Sequence, residues 1–310
     1  MAHIASDGAV MRYTTTLLLA ALLVAHVPAH AAIRILATTA DWGALANELG
    51  GDKVDVYTAT NALQDVHRVD AKPSLIARAR NADLVVATGG ELEMGWLPVL
   101  LRESGNRDVQ PGTPGYFEAA AFVTLIDVPA ALDRSMGDIH SLGNPHLQLD
   151  PRNIQKVAAA LTDRLMQVDA GNIDYYRARG ADFQQRWNSA IERWEAQAAP
   201  LQGIPIVVMH QDQNYLCRWL GLEQLASIEP KPGVPPSAGY LAQLVRKLTE
   251  DPPRLILINA YNDPKAANWL SDKVRAPVVT LPFSVGGSEQ ASDLFKLFDD
   301  TIDRLVGAVR

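Results

Sequence analysis

Two separate stretches of this 310-residue chain alternate short β-branched runs with longer segments of helical period, and this constrains the fold more than any other feature. In the first stretch the runs fall at 33–39, 54–60, 83–88 and 121–127, with helical periods at 41–49, 74–81 and 94–103. In the second they fall at 204–209, 224–228, 254–258 and 278–281, with helices at 214–220, 238–248, 264–273 and 292–309. A strand separated from the next by a helix pairs with it in parallel. Each stretch therefore predicts a mainly parallel sheet of about four strands with helices on its faces. The expected fold class is α/β, in two lobes.

Between the stretches, residues 150–199 show no strand signal. Ile154, Val157, Leu161 and Leu165, then Phe183, Trp187, Ile191 and Trp194, recur at three- and four-residue spacing, which predicts a helical spine in two pieces broken near Gly171. Asp150 suits an N-cap and Pro151 a first helical residue. A helical connection is stiffer than a glycine-serine linker, so large closure of the lobes is disfavoured. The expected division is a signal peptide at 1–31, an N-terminal lobe at 32–150, linking helices at 151–202 and a C-terminal lobe at 203–310.

The signal peptide follows from Arg12 ahead of the apolar run 17–25 and the small-x-small site Ala29-His30-Ala31, with Met11 as an alternative start. The run is well short of the roughly 20 apolar residues of a spanning helix. The only cysteine, Cys217, lies far from the cleavage point, so neither a lipid anchor there nor an intramolecular disulfide is expected. The mature chain is expected to be exported, soluble and monomeric. A formal net charge of −7 argues against nucleic acid or an anionic membrane as partner.

Beyond the signal region only four histidines remain, and His67, His146 and His210 each follow a predicted strand. Ligands of α/β sheets gather at the carboxyl ends of strands, and neutral imidazole is a preferred ligand of borderline divalent metals. One such histidine is ordinarily a satisfied core or surface residue. Three at equivalent points imply a metal held in one cleft between the lobes. Asp65, beside His67, suits an orienting role. The six tryptophans mostly fall on helical apolar faces and look like core, while Tyr215, Tyr240 and Tyr261 are candidates to approach the cleft. The prolines at 230–236 read as a rigid surface loop, and Asp299, Asp300, Asp303 and Arg304 as a solvated helix face.

In order along the chain come Thr38-Thr39-Ala40-Asp41-Trp42, Gly50-Gly51-Asp52-Lys53-Val54, Gln64-Asp65-Val66-His67 with Ala71-Lys72-Pro73-Ser74, and Ala82-Asp83-Leu84-Val85-Val86. Glu91-Leu92-Glu93-Met94-Gly95-Trp96-Leu97 follows, then Gly143-Asn144-Pro145-His146 with Leu149-Asp150-Pro151, and His210 ahead of Tyr215 and Gly221-Leu222. Taken together these strings resemble the periplasmic zinc and manganese substrate-binding proteins of ABC transporters, the ZnuA/TroA-like group. The resemblance covers essentially the whole mature chain. It implies two Rossmann-like lobes joined by a long helix, with a metal between them that is handed to a membrane permease.

Carried over by position, the family's histidine ligands fall on His67, His146 and His210. Its usual fourth ligand, an Asp after the last strand, aligns with Ser284. Water or a nearby carboxylate (Glu289 or Asp293) ranks slightly ahead of His140 as its replacement. Three imidazoles with few carboxylates favour Zn2+ over Mn2+, the alternative. The loop at 128–142 contains only His140 and lacks the histidine-rich loop of some zinc-specific relatives, which leaves room for loading by a periplasmic metallochaperone. A zinc hydrolase and a metal-chelate binder are the competing functions. The hydrolase would need a base such as Glu91 or Glu93, which are expected at a helix start, and no His-Glu-x-x-His or Gly-x-Ser-x-Gly motif is present.

Overall fold

A computed structural model describes Met1 and residues 31–130 and 140–310. The signal-peptide expectation, and most of the loop at 128–142, fall outside the described residues. The chain runs β1 (Ile33–Ala37), α1 (Ala40–Gly50), β2 (Val54–Thr58), α2 (Pro73–Arg80), β3 (Leu84–Ala87), α3 (Leu97–Ser104) and β4 (Tyr116–Glu118). Two helices follow, α4 (Pro151–Val168) and α5 (Ile173–Ala198), joined by a 3-10 turn at Ala170–Asn172. The second half contains β5 (Pro205–Val208), α6 (Asn214–Leu220), β6 (Glu223–Ser227), α7 (Ala238–Glu250), β7 (Leu255–Asn259), α8 (Lys265–Val274), β8 (Val278–Leu281) and α9 (Leu294–Val309).

Both sheets have four strands, all parallel, ordered β2-β1-β3-β4 and β6-β5-β7-β8. Ile35 stands opposite Leu84 in the first, and Ile206 opposite Leu255 in the second. Side chains alternate across a strand, and here the alternation sorts the core into three parts. Ile35, Ala37, Leu84 and Val86 from one sheet, with Ile206, Val208, Leu255 and Leu257 from the other, join a single cluster around Trp42, Trp187, Trp194 and Phe298. The opposite faces pack separately: Leu36 and Val85 under Leu75 and Leu100, and Val207 and Ile256 under Leu244 and Leu270. Trp187 and Trp194 are wholly buried. At about 25 cal/mol per Å2 and roughly 200 Å2 each, burying such an indole contributes on the order of 5 kcal/mol.

Asp150 caps α4 by accepting the Arg152 amide at 2.9 Å, with Pro151 as the first helical residue. No helix among the described residues is long and apolar enough to cross a membrane. Three expectations need correction. The fourth strand lies at Tyr116–Glu118, not 121–127. Ala120, Val123, Leu125 and Ile126 instead pack partly buried against the main core, so the apolar run fills space rather than pairing along a strand. The third helix starts at Leu97, because Glu91 has a positive φ of 71° and residues 90–96 form turns. The acidic group on α9 is only partly solvated: Asp299 accepts from Arg193 at 2.9 Å and Trp194 at 2.6 Å, and Asp300 from Ser288 at 2.6 Å. Among the tryptophans, Trp269 is the exception to burial, at 40% exposed.

Candidate metal centre

In each sheet the strand order reverses direction beside its first strand, which opens a crevice at the carboxyl ends. Loops from both sheets bring histidines there. His67 sits in a loop after β2 that is pinned by the Trp96 indole, which donates to the Val66 carbonyl at 3.0 Å. His210 follows β5 directly, in extended backbone. His146 ends the Gly143-Asn144-Pro145 run, where each residue has a mechanical role. A Cβ on Gly143, at φ 115°, would lie 2.7 Å from the Ile126 carbonyl oxygen. The Asn144 side chain accepts the His146 amide at 3.0 Å and donates to the Gln211 carbonyl at 2.9 Å, tying the segment to the other lobe one residue from His210. Pro145 fixes the intervening φ.

The rings converge. Centroids are 5.4 Å apart for His67 and His146, 5.9 Å for His146 and His210, and 6.5 Å for His67 and His210. His140 joins them, its ring centroid 5.3 Å from His67 and 6.3 Å from His146, with 3.2 Å between the Nε2 atoms of His67 and His140. Two nitrogens on one tetrahedral zinc stand roughly 3.4 Å apart, so that pair is already at chelating distance. Ligand atoms of His67, His140 and His146 all lie within 4.8 Å of one another.

Electrostatics prepares the rings unequally. His146 is 3% exposed and neither of its ring nitrogens has a hydrogen-bond partner among the described residues. Burial, reinforced by the neighbouring histidines, holds its pKa well below 6.5, so the ring is neutral. The Nδ1 of His67 meets Asp65 Oδ1 at 2.7 Å, and that of His210 meets Glu229 Oε2 at 2.7 Å. A carboxylate only accepts, so Nδ1 carries a proton in both rings, and in the neutral form of each ring Nε2 keeps its lone pair for a metal. The bond from His67 keeps Asp65 below the usual carboxylate range. Burial lowers the His210 pKa, but the hydrogen bond to Glu229 and the charges of Asp212, Glu229 and Asp65 outweigh it and leave the pKa raised.

The sequence reading missed Glu229, and also Asp212, which is wholly buried and accepts from the Tyr261 hydroxyl at 2.7 Å while its second oxygen has no partner among the described residues. Burial raises the Asp212 pKa. The carboxylates ranked ahead of His140 do not join the His67, His140 and His146 group: Asp293 caps α9 through the Lys296 amide at 2.9 Å, and Glu289 is exposed. Ser284 donates to Asp41 Oδ2 at 2.8 Å, and the Val285 amide donates to Asp41 Oδ1 at 3.0 Å. Glu93 is buried, accepting from the Thr38 hydroxyl at 2.6 Å and the Thr88 amide at 2.8 Å, and Glu91 accepts from the Ser141 hydroxyl at 2.6 Å. Both carboxylates proposed as a hydrolytic base are thus engaged in holding loops. Tyr215 and Tyr261 do approach the site, Tyr215 by donating to the Asn144 carbonyl at 2.9 Å, whereas Tyr240 donates to the Ser227 carbonyl at 2.8 Å. The proline loop is part of the site rather than a remote surface feature. Pro230, Lys231 and Pro232 line a cavity of about 410 Å3 with His140, His146 and His210.

The family described as ZnuA, zinc-uptake complex component A, periplasmic, matches residues 35–308. The chain belongs to the ZnuA family. The high-affinity zinc uptake system protein ZnuA of Paracoccus denitrificans is 25% identical over 289 residues, covering 82% of this chain and 85% of that protein. The manganese ABC transporter substrate-binding lipoprotein PsaA of Streptococcus anginosus is 22% identical over 160 residues, 50% of this chain and 48% of that one. A crystal structure of ZnuA superposes with a TM-score of 0.76 at 21% identity, covering 90% of this chain and all of that one. At that identity the superposition speaks for the two-lobed ZnuA fold.

Proposed function

We propose that this protein captures a divalent metal ion, zinc, between its lobes in the periplasm and surrenders it to the permease of an ABC transporter. One observation carries the reading: ligand atoms of His67, His140 and His146 lie within 4.8 Å of one another with the His210 ring 5.9 Å from His146, and the buried neutral His146 leaves both ring nitrogens without a partner among the described residues. Leaving a buried polar group unpaired costs about 1–3 kcal/mol, a cost that a bound cation would offset. His67, His146, His210 and His140 are the proposed ligands. The donor set is nitrogen throughout, which favours zinc over manganese. Asp65 and Glu229 orient two of the rings and supply two negative charges against the ion's two positive ones.

Capture needs no chemistry beyond deprotonation, and the engagement of Glu91 and Glu93 supports a transport role over hydrolysis. Competitive titration of metal-stripped protein with zinc and manganese tests the proposal, and preference for manganese at equal free concentration would overturn the choice of ion. Zinc at a hundredfold above its dissociation constant should stabilise the fold by about 2.7 kcal/mol. His67→Ala, His146→Ala and His210→Ala should each abolish most of that gain, and a variant that keeps it removes its residue from the ligand set.

A further inference from the structure

The carboxylate that orients His210 also holds the rim of the site. Glu229 Oε2 accepts both His210 Nδ1 at 2.7 Å and the Gly233 amide at 2.9 Å. Gly233, at φ 72°, belongs to a turn closed by the Val234 amide donating to the Lys231 carbonyl at 3.0 Å. Proline second and a positive-φ glycine third is the type II pattern, with both central residues preset to the turn. Pro230, Pro235 and Pro236 flank it and remove further backbone freedom. The segment therefore moves as a stiff unit. Gly233 to Pro235 are exposed, as are Pro230 and Lys231, and Pro230, Lys231 and Pro232 also wall the cavity in front of the histidines. Asp65, which meets the His67 ring, instead accepts the His67 amide itself at 3.0 Å.

We propose that Glu229 is a positioning residue for metal capture and that the proline turn at 230–236 is the lever by which the docking permease releases the ion. Pushing the turn outward withdraws the Gly233 amide from Oε2, frees the carboxylate to swing, and leaves the His210 ring without the bond that aims Nε2 at the other histidines. A surface contact with a few exposed residues is thereby converted into a change at a ligand. This deepens, and rests on, the capture-and-delivery reading above.

The test compares the full chain with Glu229→Gln, with a softened turn carrying Pro230→Ser, Pro232→Ser and Pro235→Ser, and with both together. Zinc loss to an excess of chromogenic chelator is followed by stopped flow, and the visible spectrum of the cobalt form reports ligand geometry. Glu229→Gln should weaken zinc binding about 10- to 100-fold, the range for removing an outer-shell partner, and alter the cobalt spectrum. The softened turn should speed zinc loss about tenfold with the cobalt spectrum retained. In the Glu229→Gln background it should add nothing, because both changes act through one bond. An unchanged rate, or an equal acceleration in both backgrounds, overturns the proposal. Should the softened turn fail to fold, hydrogen exchange in the unmodified protein decides: coupling is reciprocal, so zinc must slow exchange at the Gly233 amide, and exchange indifferent to zinc overturns the lever. A chain that takes up no divalent ion at all would instead bring down the capture reading itself.

Discussion

Replacing His146 with leucine should make the metal-free protein more stable while abolishing metal binding. The ring is 3% exposed, and both nitrogens are buried without a partner among the described residues. Each unmet polar atom costs about 1–3 kcal/mol, and leucine fills a similar volume with none. Allowing for imperfect packing, the variant should gain on the order of 2 kcal/mol in the presence of a chelator. With zinc at a hundredfold above its dissociation constant the order reverses, because only the unmodified protein collects the binding contribution of about 2.7 kcal/mol. Urea unfolding of both proteins, in chelator and in zinc, reads all four stabilities. The reasoning fails if His146→Leu is the less stable protein in chelator, or if it retains the zinc-induced gain. The first result would mean that the ring nitrogens are satisfied without metal, the second that His146 is no ligand.

Metal affinity should fall on acidification from a pH above 6.5, by about one decade per pH unit, because the raised pKa of His210 lets that ring take a competing proton while His146 stays neutral. Isothermal titration across pH 5 to 8 checks this, and a flat profile would contradict the ligand set. Asp41, pushed up from 3.8 to about 6 by burial, holds a proton in the fold that the unfolded chain has already lost between those values, so its contribution to stability declines as pH rises through that window. Asp41→Asn should remove a pH dependence on the order of 3 kcal/mol from thermal unfolding curves, and an unchanged slope would refute it. Trp187→Ala should cost roughly 3–5 kcal/mol and lower the stability of both sheets in one cooperative urea transition. Two separate transitions would show that the lobes fold independently.

Much of the fold was legible because strand and helix periods differ so sharply. Seven of the eight strands among the described residues lie where β-branched runs place them, and the break in the spine falls at Ala170–Asn172. The exception, β4, was obscured because 121–127 is the more apolar neighbour, and hydrophobicity alone does not say whether a segment pairs or packs. Strand ends were enough to single out His67, His146 and His210. The Glu229 partner of His210 was not visible, since 19 residues separate them and only the pairing of β5 with β6 brings the Glu229 amide within 3.0 Å of the Met209 carbonyl. The place of His140 beside His67 was hidden for the same reason: Glu91 accepts from the Ser141 hydroxyl next to it, a contact across 50 residues that no local pattern announces.

The shared interior has an architectural consequence. Since Trp187 and Trp194 pack on Phe295 and Phe298 of α9, in one buried cluster that also takes in the inner faces of β1 and β3 and of β5 and β7, neither half can be excised as a working module. A chain cut after residue 202 would bare those indoles to water, and a shuffled descendant would have to inherit both halves at once.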